Sequence, residues 1–368
     1  RADPDDGGSR LARAFVSWSG PAAAKGVAAA EVLGPVTSVS SSASGGGKPR
    51  AATVDPLIGR VFAGRFRILS PIGRGGMGAV YKAEQAPLGR VVALKIMSPR
   101  SDEAGNADFR RRFFLEASTA AKLTHPNTVR VFDYGQTEDG FFFIAMELLD
   151  GRTLKKVIAD EGALEPARAG EIAKQVCRSL REAHRSGIVH RDIQPGNIML
   201  VERGGEELAK VLDFGLAKDT SATPTDPDDV TQTGVFLGSP KYVSPEQVQG
   251  EALDARSDVY SLGVVLYEML TGAPPFAFEQ PMQVLMAHVR DAPPELAAPA
   301  GKTQIPAELV AVVRRALAKS PADRWPDMET FLVAIKDGLG GGSVSKDLSL
   351  STTGEREVRS GVHSFSSS

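Results

Sequence analysis

Residues 65–97 combine strand-like runs with glycines, and this stretch limits the folds open to the chain. Residues 65–72 alternate like a strand, Gly73, Gly75 and Gly78 follow, and residues 79–83 resume a strand pattern. Because glycine has no Cβ, such a hairpin can bring its tip close to a phosphate. Dinucleotide-binding folds share the spacing G-x-G-x-x-G, but they need a helix directly after the glycines. Residues 91–97 instead have the pattern of another strand, which favours the strand–turn–strand hairpin.

A single lysine interrupts that next apolar strand. Residues 91–97 are apolar except for Lys95, and a buried ammonium is costly unless it is paired. Apolar side chains at helical spacing between residues 109 and 123 form a stripe, and Glu116 falls within it. A carboxylate that faces a core needs a cation, so we predict an ion pair between Lys95 and Glu116. The alternative for Lys95 alone is an edge-strand lysine that reaches solvent.

The stretch most specific for chemistry lies at residues 190–197. His190, Arg191, Asp192 and Asn197 fit the pattern H-R-D-x-x-x-x-N. In phosphoryl transfer, such a loop supplies a carboxylate that orients a hydroxyl nucleophile and, five residues on, an amide that holds a metal ion. About twenty residues later a short apolar strand ends in D-F-G, where Asp213 can present its oxygens to Mg²⁺. Alone, this Asp would be an ordinary strand exit; its distance from Asp192 favours a metal ligand.

In this order the motifs resemble those of Hanks-type protein kinases, in particular bacterial Ser/Thr kinases. The resemblance covers about residues 60–337 and includes G-R-G-G-M-G-A-V-Y-K and Y-V-S-P-E-Q. It implies an α+β, bilobal protein-kinase-like fold. The small lobe, about 60–147, would hold an antiparallel sheet plus one helix, and the large lobe, about 152–337, would be mostly helical. Residues 1–59 and 338–368 are rich in small residues and are expected to be disordered.

The resemblance implies ATP and Mg²⁺ as cofactors, bound between the lobes. Asp192 would orient the substrate hydroxyl and accept its proton, and Asn197 and Asp213 would hold Mg²⁺. Lys95, fixed by Glu116, would position the α- and β-phosphates. The expected nucleotide-binding residues are Gly73, Arg74, Gly75, Gly76, Met77, Gly78, Val80, Ala93, Lys95, Met146, Glu147 and Leu149. Among these, Met146 would be the gatekeeper at the hinge between the lobes.

The polar segment that follows the D-F-G motif resembles an activation loop. Residues 218–239 are rich in Thr, Pro and Asp, and the S-P-E at 244–246 matches the family's A-P-E position. Thr231 and Thr233 are the expected regulatory phosphosites, and Arg191 resembles the arginine that binds a phosphorylated loop. Pro195 and the surroundings of Ser239 favour the Ser/Thr class over the Tyr class.

Two supporting contacts in the large lobe also follow from the resemblance. Asp258 would hold the catalytic loop from below, and Arg324 would pair with Glu246. Without the family, each of these residues would be interpreted as a capping or surface charge.

One position departs from the family pattern. Such kinases carry Lys two residues after the catalytic Asp, and this chain has Gln194. A preorganised charge of this kind is worth about 2–4 kcal/mol of transition-state stabilisation, or about 10²–10³ in rate. We therefore predict a Ser/Thr protein kinase slowed by Gln194. The alternative is an ATP-binding pseudokinase that acts as a scaffold or allosteric regulator, whereas a small-molecule phosphotransferase should lack the activation loop.

Composition narrows the remaining functional classes. A net charge of −2 gives no case for nucleic acid, which would require a basic stripe. The single Cys177 lies in an apolar helical pattern, which predicts a core residue and fits a reducing compartment. No stretch reaches the ~18–20 apolar residues of a membrane span. We therefore expect a cytoplasmic protein that acts on protein substrates, with a homodimer as a further expectation from the bacterial relatives.

Overall fold

The computed structural model describes residues 55–75, 78–97, 107–214 and 239–340. Within these ranges the chain forms two lobes that meet after residue 147. No helix in the described ranges is both long and apolar enough to cross a membrane.

The small lobe is an antiparallel sheet with one helix packed on it. The strands follow the order β1-β2-β3-β4-β6-β5 across the sheet. Helix α1 packs on the sheet through Phe113, whose ring centroid lies 4.7 Å from that of Phe142. The elements are β1 Val61–Phe62, β2 Phe66–Gly75, β3 Gly78–Gln85, β4 Arg90–Met97, α1 Ala107–Ala120, β5 Val131–Gln136 and β6 Phe142–Glu147.

The large lobe is mostly helical and carries a small three-stranded sheet. Its helices are α2 Leu154–Glu161, α3 Pro166–Arg185, α4 Pro245–Gln249, α5 Ala255–Thr271, α6 Pro281–Arg290, α7 Ala307–Ala316 and α8 Met328–Gly338. Strands β7 Gly151–Thr153, β8 Ile198–Arg203 and β9 Glu206–Val211 pair antiparallel in that order. Helix α5 is buried along most of its length, as its nearly continuous apolar sequence predicts. The α+β bilobal fold is thereby confirmed.

One hydrophobic core runs through both lobes. It includes Phe113 on α1, Ile144 on β6, and Ile198, Val211 and Phe214 around the small sheet, and it continues into the large-lobe helices. A second cluster covers the opposite face of the small-lobe sheet. The shared core fixes the ends of β8 and β9 beneath α1 and β4, which brings the catalytic loop under the sheet.

Helix α3 delivers the chain to the catalytic loop. Ile172, Val176, Cys177 and Leu180 form its buried face, so Cys177 is a core residue as predicted. Burial raises the pKa of the Cys177 thiol, which keeps it uncharged. Gly187 follows the helix with φ +76°, the left-handed conformation that suits glycine at a helix end.

Candidate active site

The backbone of the catalytic loop is held by a buried carboxylate. Oδ2 of Asp258, in the first turn of α5, accepts a hydrogen bond of 2.8 Å from His190 N, and Oδ1 accepts one of 2.9 Å from Arg191 N. Arg191 has φ +65°, a conformation that these bonds stabilise. The expected role of Asp258 is therefore confirmed by its contacts.

A second histidine, not singled out from the sequence, completes this anchor. Nε2 of His184, on α3, lies 2.7 Å from Oδ2 of Asp258. Complete burial alone would raise the pKa of Asp258, but the hydrogen bond and charge of His184, together with His190, hold it below its usual value. Asp258 thus remains a carboxylate that can accept both loop N–H groups.

The side chain of His190 ties the loop to the strand exit that carries Asp213. Its Nε2 lies 2.8 Å from the carbonyl oxygen of Leu212, and its ring centroid is 4.7 Å from that of Phe214. The N–H of Leu212 in turn donates to the carbonyl of Asn197 at 2.8 Å. These contacts place the D-F-G strand exit beside the catalytic loop.

Two amides hold the carboxylate of Asp192. Nδ2 of Asn197 donates to the Asp192 backbone oxygen and to its Oδ2, both at 2.9 Å. Nε2 of Gln194 donates to Oδ1 at 3.1 Å. Gln194 therefore lies directly against Asp192, and it orients the carboxylate through a neutral hydrogen bond rather than through a charge.

The ion pair predicted for Lys95 is different in the structure. Among the described residues, the carboxylate within ion-pair distance of Lys95 Nζ is that of Asp213, at 2.9 Å. Glu116 Oε1 instead lies 3.8 Å from Nη1 of Arg191. Asp213 leaves β9 with φ +50°, and in this conformation its carboxylate reaches Lys95 from below. The pairing seen for Lys95 and Glu116 therefore differs from the one that the sequence predicted.

The glycine-rich hairpin lies at the end of β2 and the start of β3. Gly73 pairs with Val80, Arg74 with Ala79, and Gly75 with Gly78. Gly78 has φ +141°, and a Cβ there would lie 2.0 Å from the backbone oxygen of Ile96. This glycine is thus required by its close approach to β4, whereas the sequence had suggested approach to a phosphate. A Cβ on Gly73 would meet no atom within 4 Å.

The remaining residues expected at the nucleotide site lie on adjacent strands or just past their ends. Val80 pairs with Lys95 across β3 and β4, and Ala93 pairs with Met146 across β4 and β6. Leu149 is partly buried against the core just past β6. Gly76, Met77, Thr231 and Thr233 lie outside the described residues, so their predicted roles stay predictions.

The side chain of Glu147 binds a lysine that was not predicted as part of the site. Lys210, on β9, is 7% exposed; it forms an ion pair with Glu147, and its Nζ lies 3.4 Å from Thr128 O. Glu147 also accepts a hydrogen bond of 3.1 Å from Arg130 N. The end of β6 is thereby tied to the large-lobe sheet. A lysine within an apolar strand was a signal for Lys210, as it was for Lys95.

The expected pair between Arg324 and Glu246 is present and fully buried. Nη1 and Nη2 of Arg324 donate to the two carboxylate oxygens, each at 2.8 Å. Burial alone would raise the pKa of Glu246, but Arg324 holds it below its usual value. The pair fixes α4, whose Gln247 Nε2 donates to the backbone oxygen of Arg191 at 2.9 Å.

The side chains of Asn197 and Asp213 fit a magnesium ion. Amide and carboxylate oxygens are the ligands that Mg²⁺ prefers. Because Nδ2 of Asn197 is bonded to Asp192, its Oδ1 is the atom available to a cation. The Asp213 side chain is 32% exposed, which leaves it accessible from the space between the lobes.

Comparison with known proteins assigns the family. The family model described as protein kinase domain matches residues 66–332. The Ser/Thr-protein kinase pkn3 of Myxococcus xanthus is 40% identical over 290 residues, covering 78% of this chain and 52% of the relative. For PknB of Mycobacterium tuberculosis these values are 42% over 280 residues, 74% and 43%. The chain thus spans about half the length of the curated relatives it matches.

Solved structures agree with this assignment. The crystal structure of the PknI kinase domain of Mycobacterium tuberculosis is similar with a TM-score of 0.59 and 30% sequence identity, covering 76% of this chain and 98% of that one. The protein kinase model, which matches residues 66–332, includes residues of both lobes. This chain belongs to the protein kinase family, within its Hanks-type bacterial Ser/Thr branch.

Proposed function

We propose that this chain transfers the γ-phosphoryl group of ATP to Ser and Thr hydroxyls of proteins. The observation that carries the proposal is the carboxylate of Asp192, oriented by amides on both oxygens and by a loop anchored to Asp258. The family of the chain supports the same reaction.

Asp192 is the proposed base. Gln194 and Asn197 donate to its oxygens without placing a formal charge beside them, so the carboxylate can accept the proton of a substrate hydroxyl as that oxygen attacks. Lys95 would position the α- and β-phosphates. Asn197 and Asp213 would hold Mg²⁺, which when bound neutralises charge on the phosphates.

The binding cleft for the nucleotide is proposed to lie between the hairpin and β6. Gly73, Gly78 and Val80 would cover the nucleotide from above, and Ala93 and Met146 would border its base. Behind Met146 a small apolar cavity reaches the strand exit, lined by Ala120, Val129, Val131, Ile144, Asp213 and Phe214. We place the kinase domain at residues 60–337.

Regulation through Thr231 and Thr233 is part of the proposal. Arg191 lies 3.8 Å from Glu116, so a phosphate on the activation loop would compete with that carboxylate for the guanidinium. Glu116 would then be able to turn to Lys95, the partner expected from the sequence. Thr231→Ala and Thr233→Ala should each reduce autophosphorylation measured by mass spectrometry.

The alternative function is an ATP-binding pseudokinase that acts as a scaffold or allosteric regulator. The observation that favours it is the neutral amide of Gln194 where a cation is usual. Under this alternative, nucleotide would bind without turnover. For the cellular setting, we propose protein substrates and a cytoplasmic location, and a homodimer that light scattering would detect.

Autophosphorylation with labelled ATP separates these functions. The chain should incorporate label, and Asp192→Asn should abolish incorporation while still binding Mg-ATP. Incorporation no greater than that of Asp192→Asn, with ATP bound, would establish the pseudokinase. Absence of ATP binding to the unaltered chain would contradict both functions.

A further inference from the structure

The carboxylate of Asp55 connects the start of the described small lobe to the glycine-rich hairpin. Its Oδ2 accepts a hydrogen bond of 2.6 Å from Nη2 of Arg74 and one of 2.9 Å from the hydroxyl of Tyr81. Its Oδ1 accepts one of 3.0 Å from Leu57 N. Asp55 lies outside every motif of the catalytic site, yet it contacts the residue between Gly73 and Gly75.

Asp55 is itself held firmly on the sheet. Its side chain is only 8% exposed, and burial of this kind is unusual for an aspartate unless it is paired. Leu57 belongs to the outer core of the small-lobe sheet, and Ile58 N closes a turn onto Asp55 O at 3.1 Å. Tyr81 is fully buried on β3. The carboxylate is therefore a fixed point.

Arg74 is the less constrained partner. Its side chain is 52% exposed, and its backbone pairs with Ala79, one position from the Gly75–Gly78 pair. Ile72 beside it is 52% exposed, and a Cβ on Gly73 would meet no atom within 4 Å. Packing therefore contributes little to the position of this end of β2, and the contact with Asp55 supplies a tether.

We propose that Asp55 is a positioning residue for nucleotide binding, which holds the glycine-rich hairpin through Arg74 in the conformation that covers the phosphates. The inference rests on the proposed ATP-binding function and deepens it. Without the tether, the hairpin samples more conformations, and nucleotide binding must order it at an entropic cost. Binding is weakened in the ground state and the transition state alike, so KM for ATP rises while kcat stays constant.

Substitutions can separate this tether from a purely structural role, because the Asp55 carboxylate accepts three different hydrogen bonds. Arg74→Gln removes the ion pair with the hairpin. Tyr81→Phe removes only the hydrogen bond from the hydroxyl group on β3. Asp55→Ala removes all three. Asp133→Ala is a matched control: Asp133 accepts a backbone N–H from Tyr134 at 2.9 Å and pairs with Arg65 at 3.0 Å, but on β5, away from the hairpin.

The measurements are KM for ATP, kcat, and the Kd of a non-hydrolysable Mg-ATP analogue, all in the full chain. Asp55→Ala and Arg74→Gln should each raise KM and Kd about two- to fivefold, the range of a partly exposed ion pair, and Asp55→Ala should leave kcat unchanged within about twofold. The double variant should bind the nucleotide no more weakly than Asp55→Ala alone. Tyr81→Phe and Asp133→Ala should leave Kd unchanged.

Several results would overturn the inference. A Kd unchanged in Asp55→Ala, with only a lower midpoint of urea unfolding, would make Asp55 structural. Tighter binding in Asp55→Ala would mean that Asp55 withholds Arg74 from the nucleotide. Additive effects on Kd in the double variant would mean that Asp55 does not act through Arg74. If the unaltered chain bound no analogue, both this inference and the proposed function would fail. The other outcomes contradict only the inference about Asp55.

Discussion

At the scale of single residues, the proposed activity depends on which groups surround the carboxylate of Asp192. The side chains of Gln194 and Asn197 both donate to its carboxylate oxygens through an amide nitrogen. These hydrogen bonds orient the carboxylate, but they place no positive charge near a phosphoryl group that is being transferred. The arrangement suits the proposed role of Asp192 as the base, whereas Gln194 adds no charge where the family pattern has a lysine.

Restoring a cation at this position should raise the rate. Gln194→Lys should increase kcat of autophosphorylation about 10²-fold, because a preorganised charge stabilises the transition state by about 2–4 kcal/mol. The initial rate of label incorporation at saturating ATP measures the effect. Gln194→Ala is the control, since it removes the hydrogen bond to Asp192 without adding charge and should give no gain. A lysine variant no faster than the parent chain would refute this account of Gln194.

The sequence motifs predicted that Lys95, Asp192 and Asp213 belong to one candidate site, but they did not predict the pairing of Lys95. Lys95 and Glu116 were expected to meet because each is an unusual charge in an apolar pattern. The patterns could not reveal that Lys95 would form its ion pair with Asp213. That choice depends on how α1 and the exit of β9 are placed relative to β4, and such placement is set by packing over long sequence distances.

At the scale of elements, the strand patterns at residues 65–72, 79–83 and 91–97 predicted β2, β3 and β4, and the glycines produced the main difference. The sequence suggested that β2 stops before Gly73, whereas the strand continues to Gly75 with register shifts between Ile68 and Ser70 and between Pro71 and Gly73. Glycine tolerates extended as well as turn conformations, so its presence marks a permitted turn without fixing where the turn begins. Pairing with β3 determines where β2 ends.

The buried pair between α4 and the segment before α8 fixes elements far apart in sequence. Arg324 is 1% exposed and Glu246 is 2% exposed. The guanidinium also donates to three backbone oxygens, at 2.8 Å to Ala318, 2.9 Å to Arg256 and 2.8 Å to Lys319. All five of its N–H groups therefore have acceptors, which offsets the cost of burying a charge.

Breaking this pair should destabilise the large lobe strongly. Arg324→Ala leaves Glu246 as an uncompensated buried carboxylate, so we expect a loss of about 3–5 kcal/mol in the free energy of unfolding, measured by urea denaturation. Arg256→Ala is the control, because Arg256 pairs with the half-exposed Asp254 and should cost less than about 1 kcal/mol. A loss for Arg324→Ala as small as that of the control would show that the pair contributes little to stability.

At the scale of the whole molecule, stability should depend on pH through a histidine remote from the active site. His288, on α6, is completely buried, with Nδ1 2.9 Å from the hydroxyl of Tyr260. Nζ of Lys319 donates to the His288 backbone oxygen at 2.8 Å. Burial, with a smaller contribution from the Lys319 charge, lowers the pKa of His288 from 6.5 to about 4. The folded protein therefore holds this ring neutral where the unfolded chain would protonate it.

The sign of the effect follows from proton binding. Between pH 6.5 and about 4 the unfolded chain binds a proton at this histidine that the folded chain does not, so stability is complete above this window and falls on acidification. The carboxylates Asp258 and Glu246, whose pKa values are lowered, lose their contributions as the pH falls from the ordinary pKa range of carboxyl groups through these lowered values. The loss from His288 therefore begins at higher pH, and the two effects overlap only at the acid end of its window.

A variant without the titrating ring isolates its contribution. Between pH 7 and pH 4.5, His288→Asn should lose about 2 kcal/mol less unfolding free energy than the parent chain, measured by urea denaturation at a series of pH values. His125, whose pKa is also lowered by burial, is present in both proteins and cancels in the difference. Parallel pH profiles for the two proteins would mean that water or a neighbouring group lets His288 accept its proton in the folded state.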